Sequence, residues 1–379
     1  MPLLRILAAA VAVILSTVVM DAQQISWKPY GFIKGDAAVT TAGVQSFFTP
    51  GIAAPQTATG VDTGLTGFTA QHSRIGMTGE IEGTFRTGAL VEMDFFTNTL
   101  ETNLRPRMRL AYAWVRRGPF ELRIGQQWDL FSANNPLTNN TNGNLWYGGN
   151  LGFRRAMIQL RYTRPGRRIA PAAQVALCEG TPGSSLIDNY APYPMLQGRL
   201  SATLFEKHTV GLSFVRAAFS PVPDSASLDF FATGLSVDAT LPFHDRFSLH
   251  GEFSTGRNLA QAGFFTIAQG GGSGRDADNT SLWVNVQSKL FTHLHLAAGL
   301  GMDRNTTDKA SLPAGSILGN TVLYADIIFP FGNGFSLSVE GMHIATEYKN
   351  GVVTTGGVAS AGDEERSAWV FNLSGRLAF

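Results

Sequence analysis

The sequence predicts an all-β fold, a transmembrane antiparallel β-barrel of about 16 strands with long outer loops and short periplasmic turns. Three observations predict it: segments that alternate apolar and polar residues, connections that alternate between short and long, and a composition poor in charge. Only 15% of the 379 residues are charged, whereas Gly reaches 42 and Phe 26. This composition suits many strands joined by glycine-rich loops, because aromatic residues favour strands and glycine favours turns.

Net charge and cysteine content exclude two other classes of protein. A net charge of +1 excludes a nucleic-acid binder that works by bulk charge, because such binding depends on Lys and Arg that neutralise phosphates. The single cysteine, Cys178, excludes a disulfide framework and a metal site built from several cysteines. Cys178 falls in a predicted strand, where we interpret it as a packing residue.

The first 22 residues have the organisation of a secretory signal peptide. Arg5 precedes an apolar run from Ile6 to Met20, and Ala22 stands before two glutamines, as in the charged, hydrophobic and small-residue regions of such peptides. A retained N-terminal anchor is the alternative, because Met20 is large for its place before the cleavage site. We expect a signal peptide over residues 1–22 and an outer-membrane β-barrel over residues 23–379.

The last strand shows the alternation most clearly. Apart from Gly375, large apolar residues occupy the odd positions from Trp369 to Phe379, and Asn372, Ser374 and Arg376 stand between them. This period of two gives one apolar face and one mostly polar face. A membrane-embedded chain with this pattern must close into a barrel, because lipid cannot satisfy the backbone groups of an open sheet edge.

Six further segments alternate in the same way, at residues 89–95, 107–115, 120–124, 156–162, 282–290 and 335–340. In the segment 107–115 the even positions hold Met108, Leu110, Tyr112 and Trp114. We expect these four side chains to face lipid, and the odd-numbered arginines of the segment to face the lumen.

The connections between strands alternate between short turns and long loops. The short turns lie near residues 82–84, 117–119, 164–166, 206–208, 243–245, 291–293 and 332–334. The long loops lie near residues 41–65, 97–106, 129–152, 181–193, 219–227, 257–279, 304–318 and 347–366. Seven turns and eight loops imply 16 strands, and this regular alternation is typical of outer-membrane barrels. A secreted β-sandwich or propeller is the alternative.

The size of the barrel bears on its function. Barrels of about 16 to 18 strands enclose an aqueous channel, whereas those of about 8 strands fill with side chains. The pattern therefore predicts a porin, a passive diffusion channel for small solutes in the Gram-negative outer membrane.

Arginine is concentrated in one part of the chain. Between Arg74 and Arg168 there are fourteen arginines, no lysine and seven acidic residues, a net charge of +7 in a chain of +1 overall. The alternation directs six of these arginines to the lumen on neighbouring strands: Arg74, Arg107, Arg109, Arg123, Arg155 and Arg161. We assign Lys34, Glu92 and Asp94 to the same pore lining. Because rings of Arg or Lys favour anions in pores, these residues predict an anion-preferring channel.

A structural role for these arginines is the alternative. They could pair with Glu80, Glu92, Asp94 and Glu121 and brace the wall. Facing basic and acidic walls would also give a transverse field without strong selectivity.

The segment Asp129–Gly152, here called loop L3, contains seven asparagines and no charged residue after Asp129. Two interpretations remain open for it. L3 folds inward and narrows the pore, or it is a surface loop in which asparagine serves as a turn residue.

Motifs in the first half of the chain resemble those of one porin family. Gly31–Asp36 opens the first strand, and Ser73–Gly76 begins the core of the second; Leu90–Phe95, Arg109–Tyr112 and Gly125–Phe131 follow in order. Over residues 30–165 this order resembles the DcaP-type trimeric porins of Gram-negative outer membranes. The resemblance implies a 16-stranded barrel, a homotrimer and uptake of small anions such as dicarboxylates. It also implies that Arg74, Arg107, Arg109 and Arg123 line the constriction.

The sequence predicts neither an enzyme nor a cofactor. His72 and Ser73 are adjacent, but neighbours on a strand point to opposite faces and cannot form a catalytic pair. His293 and His295 share a face without a carboxylate beside them, so we interpret them as a solvated edge. The glycine-rich run at 270–274 lacks the lysine of a phosphate-binding loop.

Two functions of different classes remain. The first is a channel for small, anionic solutes, embedded in the outer-membrane bilayer as a homotrimer. The second is a receptor, adhesin or scaffold with a plugged lumen. Single-channel conductance distinguishes them.

Overall fold

The computed structural model describes residues 26–55, 63–97, 105–140, 145–180, 193–219, 230–268, 276–349 and 363–379. The expected signal peptide and the glycine-rich run at 270–274 lie outside the described residues. Within these ranges, no helix is long and apolar enough to cross a membrane.

Sixteen barrel strands are present in the described part of the chain. The first eight are β1 (Ser26–Thr40), β2 in two segments (Thr66–Thr69 and Arg74–Ile81), β3 (Arg86–Asp94), β4 (Arg107–Arg117), β5 (Phe120–Trp128), β6 (Arg154–Thr163), β7 (Ile169–Cys178) and β8 (Met195–Leu204). The last eight are β9 (His208–Phe219), β10 (Phe230–His244), β11 (Phe247–Arg257), β12 (Asp278–Phe291), β13 (Leu294–Asn305), β14 (Ile317–Gly332), β15 (Phe335–Tyr348) and β16 (Glu364–Ala378). A two-residue hairpin (Val44–Gln45, Ile52–Ala53) and one 3-10 turn (Lys309–Ser311) lie in the loops.

Every strand pairs antiparallel with its neighbours in the chain, and the sheet closes on itself. The closing seam joins β1 to β16, from Phe32 opposite Ala378 to Thr40 opposite Val370. Closure leaves no unpaired edge, which is the requirement for a sheet in lipid. The predicted fold, an antiparallel barrel of 16 strands, is confirmed, and the seven short turns lie where the sequence predicted them.

The outer surface of the barrel is apolar. In β16 Trp369, Phe371 and Leu373 are each about half exposed, whereas the alternate residues Val370 and Ser374 are buried. The same alternation exposes Ile158 and Leu160 of β6 and buries Met157 and Gln159. Such a surface is stable only where lipid or another subunit replaces water.

One strand changes its phase at a β-bulge. Met108 of β4 lies opposite Met93 of β3, but Leu110 lies opposite Glu92, so that Arg109 is the extra residue. An extra residue in one strand reverses which face each following side chain occupies.

The prediction that Leu110, Tyr112 and Trp114 face lipid is therefore wrong. Leu110 is buried, and the rings of Tyr112 and Trp114 contact the lumen-side arginines Arg123 and Arg116. The alternation predicts the correct face for each residue up to Met108. Alternation alone does not reveal one inserted residue, because apolar side chains occur on both faces of this strand.

Candidate functional site

The described residues of loop L3, 129–140 and 145–152, fold into the barrel and cross its interior. At its start, the backbone N–H groups of Leu130 and Phe131 donate to the side-chain oxygen of Gln197 on β8, over 2.7 and 3.1 Å. The hydroxyl of Ser132 then donates to Glu252 of β11. These contacts carry the loop from β5 into the lumen.

The middle of L3 lies along the strands near the seam. The backbone N–H of Leu137 donates to Asn285 of β12 over 3.2 Å, and its carbonyl oxygen accepts from the hydroxyl of Tyr324 over 2.9 Å. The backbone N–H of Asn139 donates to Glu340 of β15 over 2.7 Å. Of the two interpretations of L3, the structure has the inward-folded one.

A close backbone approach fixes L3 at its far end. A Cβ atom on Gly301 of β13 would overlap the carbonyl oxygen of Gly148. Only glycine at position 301 leaves room for the loop. Among the described asparagines of L3, Asn134 and Asn139 form hydrogen bonds with the barrel strands.

A group of arginines lies on the lumen face of β2 to β6; we call Arg74, Arg107, Arg123 and Arg161 the arginine wall. Asp94 of β3 accepts two hydrogen bonds from Arg107, over 2.8 and 2.9 Å, and one from Arg109 over 2.8 Å. Glu92 accepts from Arg109 over 2.7 Å and lies 3.6 Å from Arg74.

A third carboxylate, Glu121 of β5, is shared by three arginines. Arg123 donates to it over 2.5 Å, Arg116 over 2.7 Å and Arg161 over 3.0 Å. Six guanidinium groups thus share three carboxylates, which leaves an excess of positive charge on this side of the lumen.

Exposure differs between the two charges. The side chains of Arg74, Arg107, Arg123 and Arg161 are 18%, 34%, 22% and 28% exposed. Their carboxylate partners are between 0% and 8% exposed. A solute in the lumen therefore meets the guanidinium groups, while the carboxylates orient them from below.

Aromatic rings support the same guanidinium groups. Arg74 lies over the ring of Phe32 at 5.2 Å, Arg107 over Phe96 at 4.9 Å and Arg123 over Tyr112 at 5.1 Å. These contacts hold flexible side chains in place, and the guanidinium group keeps its charge in such a setting.

Three of the predicted pore residues are on the lumen side but sealed from water. Arg109 is buried beneath Arg107, Arg155 is buried in an ion pair with Asp129, and Lys34 is buried in an ion pair with Asp36. The alternation predicts the face on which a side chain lies. It does not predict which partners enclose that side chain, such as Asp129 at the start of L3 for Arg155.

The opposite side of the lumen carries buried acidic residues that the sequence analysis did not single out. Asp238, Glu252, Asp303, Asp326 and Glu340 lie on β10 to β15, and each is 4% exposed or less. We call these five residues the acidic wall.

Loops cover most of the acidic wall. Glu252 accepts from Ser132 and from the backbone N–H of Asn134, and Glu340 accepts from Asn139. Asp303 accepts the backbone N–H of Ile267 over 2.9 Å. The sequence contains a feature that could have predicted these contacts. Loop L3 is uncharged after Asp129 and rich in hydrogen-bond donors, and the later strands carry acidic residues at lumen-facing positions that can accept from such donors.

The fold is similar to that of outer-membrane channels. The outer membrane channel DcaP of Acinetobacter baumannii superposes with a TM-score of 0.71 at 18% identity, covering 96% of this chain and 100% of that one. An anion-selective porin from Comamonas acidovorans gives 0.60 at 12% identity over 94% and 100% of the two chains. A trimer form of OmpT of Vibrio cholerae gives 0.56 at 13% identity over 94% and 99%.

Sequence comparison adds no assignment. No protein-family model matches the chain, and no curated protein matches it. At these identities the structural likeness shows the fold alone. The resemblance to DcaP-type porins is confirmed at the level of the fold. The barrel has the architecture of outer-membrane porins.

Proposed function

We propose that the protein is an outer-membrane porin that lets small solutes diffuse passively and prefers anions of dicarboxylate type. The observation that carries this proposal is the unequal exposure of charge in the lumen. The arginine wall is exposed to solvent, whereas the acidic wall on the far side is buried and largely bonded to loops. Exposed positive charge in a narrow water-filled passage raises the local concentration of anions.

Arginine suits this class of solute. A planar guanidinium group offers two parallel donors to a carboxylate, and the wall presents several such groups on neighbouring strands. Arg74, Arg107 and Arg123 are our candidate solute contacts, with Arg161 nearer the periplasmic turns. Glu92, Asp94 and the sealed residues Lys34, Arg109 and Arg155 position them or brace the wall.

We infer that the barrel works as a homotrimer. Ala89 and Ala113 lie side by side on the outer face of β3 and β4, within a shallow apolar recess, and the exposed ring of Trp27 beside them covers Gly79 of β2. The β-bulge contributes to this surface, because it puts alanine outside and tyrosine inside. The recess left by these two alanines can receive a side chain from a second copy. The trimer form described for the similar Vibrio cholerae protein is consistent with this assembly.

Planar-bilayer recording tests the function. We expect discrete conductance steps and, across a KCl gradient, a reversal potential of the sign that anion preference produces. A liposome-swelling series then compares neutral sugars with dicarboxylates of similar size. Absence of conductance would favour the receptor or scaffold alternative, and clear cation selectivity would refute the role of the arginine wall. Catalysis is not part of the proposal.

A further inference from the structure

A second lumen-side recess lies beyond L3, toward the short turns. It has a volume of about 340 Å³ and lies against β10 to β14, across the barrel from the arginine wall. This volume falls within the range of about 300–1,000 Å³ that is typical of small-molecule sites.

Loop L3 forms the roof of this recess and is firmly attached there. The side-chain amide of Asn134 donates to the carbonyl oxygen of Ala239 and the hydroxyl of Thr240, both over 3.2 Å. The backbone N–H of Leu137 donates to Asn285, which also accepts from Gln287 over 2.8 Å. The recess is thus a built feature of the barrel and not a gap between mobile loops.

Hydrogen-bond donors and positive charge dominate one side of the recess. Lys289 of β12 and His295 of β13 lie directly opposite one another in the sheet. In the described part of the chain, neither forms an ion pair with an acidic residue. His250 lies nearby, oriented by contacts with Ser248 at 2.9 Å and Thr240 at 3.4 Å.

The charge of the adjacent turn is balanced. Asp245 is the acidic residue that lines the recess, and Arg246 stands next to it in the β10–β11 turn. The charge of Lys289 is therefore left over for a ligand. The other side of the recess is apolar, formed by Leu137 of the roof with Ile328 of the wall, which lies opposite His295 in the sheet.

We propose that this recess is a second binding site on the translocation path, which holds small organic carboxylates near the periplasmic turns, on the side of the lumen opposite the arginine wall. The carboxylate contacts Lys289 and His295, and the hydrocarbon chain packs against Leu137 and Ile328. A purely inorganic anion fits less well, because it leaves the apolar side of the recess in water. This proposal rests on the proposed porin function. It adds a binding site that offers both a positive charge and an apolar surface.

Butyrate is a suitable probe, since it has one carboxylate and a short apolar chain. Its binding to the folded full chain in detergent micelles is titrated by saturation-transfer NMR, which needs no conductance. We expect Lys289→Gln to weaken the binding about two- to fivefold, as the loss of one partly exposed charged contact implies. Leu137→Ser is expected to reduce saturation transfer to the butyrate methyl group.

Lys207→Gln is the matched control. Lys207 is an exposed lysine in the β8–β9 turn at the same end of the barrel and does not line the recess. Equal loss of binding in Lys207→Gln and Lys289→Gln, or equal affinity for butyrate and inorganic phosphate, would overturn the proposal. Bilayer recording separates the two claims. If the Lys289→Gln channel stays anion-selective but binds butyrate more weakly, both the proposed porin function and the proposed site in the recess are supported. If it stays anion-selective and binds butyrate as the wild type does, the site in the recess is contradicted and the porin function is not.

Discussion

Asn139 of L3 donates its backbone N–H to the Glu340 carboxylate of β15 over 2.7 Å. Glu340 is buried and belongs to the acidic wall, which faces the arginine wall across the lumen. The hydrogen bond from L3 satisfies this side chain and covers it, so that Glu340 does not line the passage. The position of L3 and the charge presented by the lumen are therefore linked.

Replacement of Glu340 by alanine should loosen L3. The substitution removes the acceptor of the Asn139 N–H, and a lost bond to a charged acceptor costs about 1–3 kcal/mol. We expect a larger and noisier single-channel current than in the wild type. Glu340→Gln is the control, because its side-chain oxygen still accepts the bond. Identical current traces from Glu340→Ala and the wild type would show that this contact does not hold the loop.

Neutralising the arginine wall should reduce anion preference. We expect the double variant Arg107→Gln with Arg123→Gln to lower the anion-to-cation permeability ratio about twofold or more, because two exposed charges leave the passage. The ratio is obtained from the reversal potential across a KCl gradient. Arg257→Gln is the matched control, since Arg257 is an exposed arginine paired with Asp278 at the far end of β11. An equal effect in the control would assign selectivity to overall charge.

A methyl group at position 301 should displace L3. In Gly301→Ala the added Cβ meets the backbone carbonyl of Gly148, and overpacking of this kind costs about 1–3 kcal/mol. We expect Gly301→Ala to unfold at a lower temperature than the wild type, as measured by the change in gel mobility of the heated barrel. We also expect its conductance to differ from that of the wild type. Gly35→Ala is the control, because a Cβ at Gly35 meets no atom within 4 Å. Unchanged stability in Gly301→Ala would mean that the loop moves aside at no cost.

Thiol labelling should report the reversal of faces after the β-bulge. Tyr112→Cys is expected to react with a water-soluble, membrane-impermeant maleimide through the lumen, whereas Ala113→Cys faces the outer surface and should stay unlabelled. The native Cys178 is buried, so it contributes little background. Preferential labelling of Ala113→Cys would instead show that residue 113 faces the lumen, as the alternation without a β-bulge predicts.

Features that depend on neighbouring residues in the chain could be predicted from the sequence, and features that depend on contacts between distant residues could not. Strand number, turn positions and the outward face of β16 depend on local alternation, and residues such as Trp369 and Phe371 reveal it directly. The burial of Arg109, Arg155 and Lys34 depends on partners brought together by the closed sheet and on L3. The lumen-side position of Tyr112 depends on one extra residue, Arg109, whose insertion leaves no trace in composition.

The anchoring of L3 also has a consequence for biogenesis. The side-chain oxygen of Asn139 accepts from Ser338 of β15 and from Ser374 of β16, over 2.9 and 2.7 Å. These serines are about two hundred residues downstream of the loop, and β16 is the strand that closes the seam with β1. The inner loop thus reaches its final position only after the C-terminal strand has been added, so that completion of the cylinder and ordering of its interior are one event.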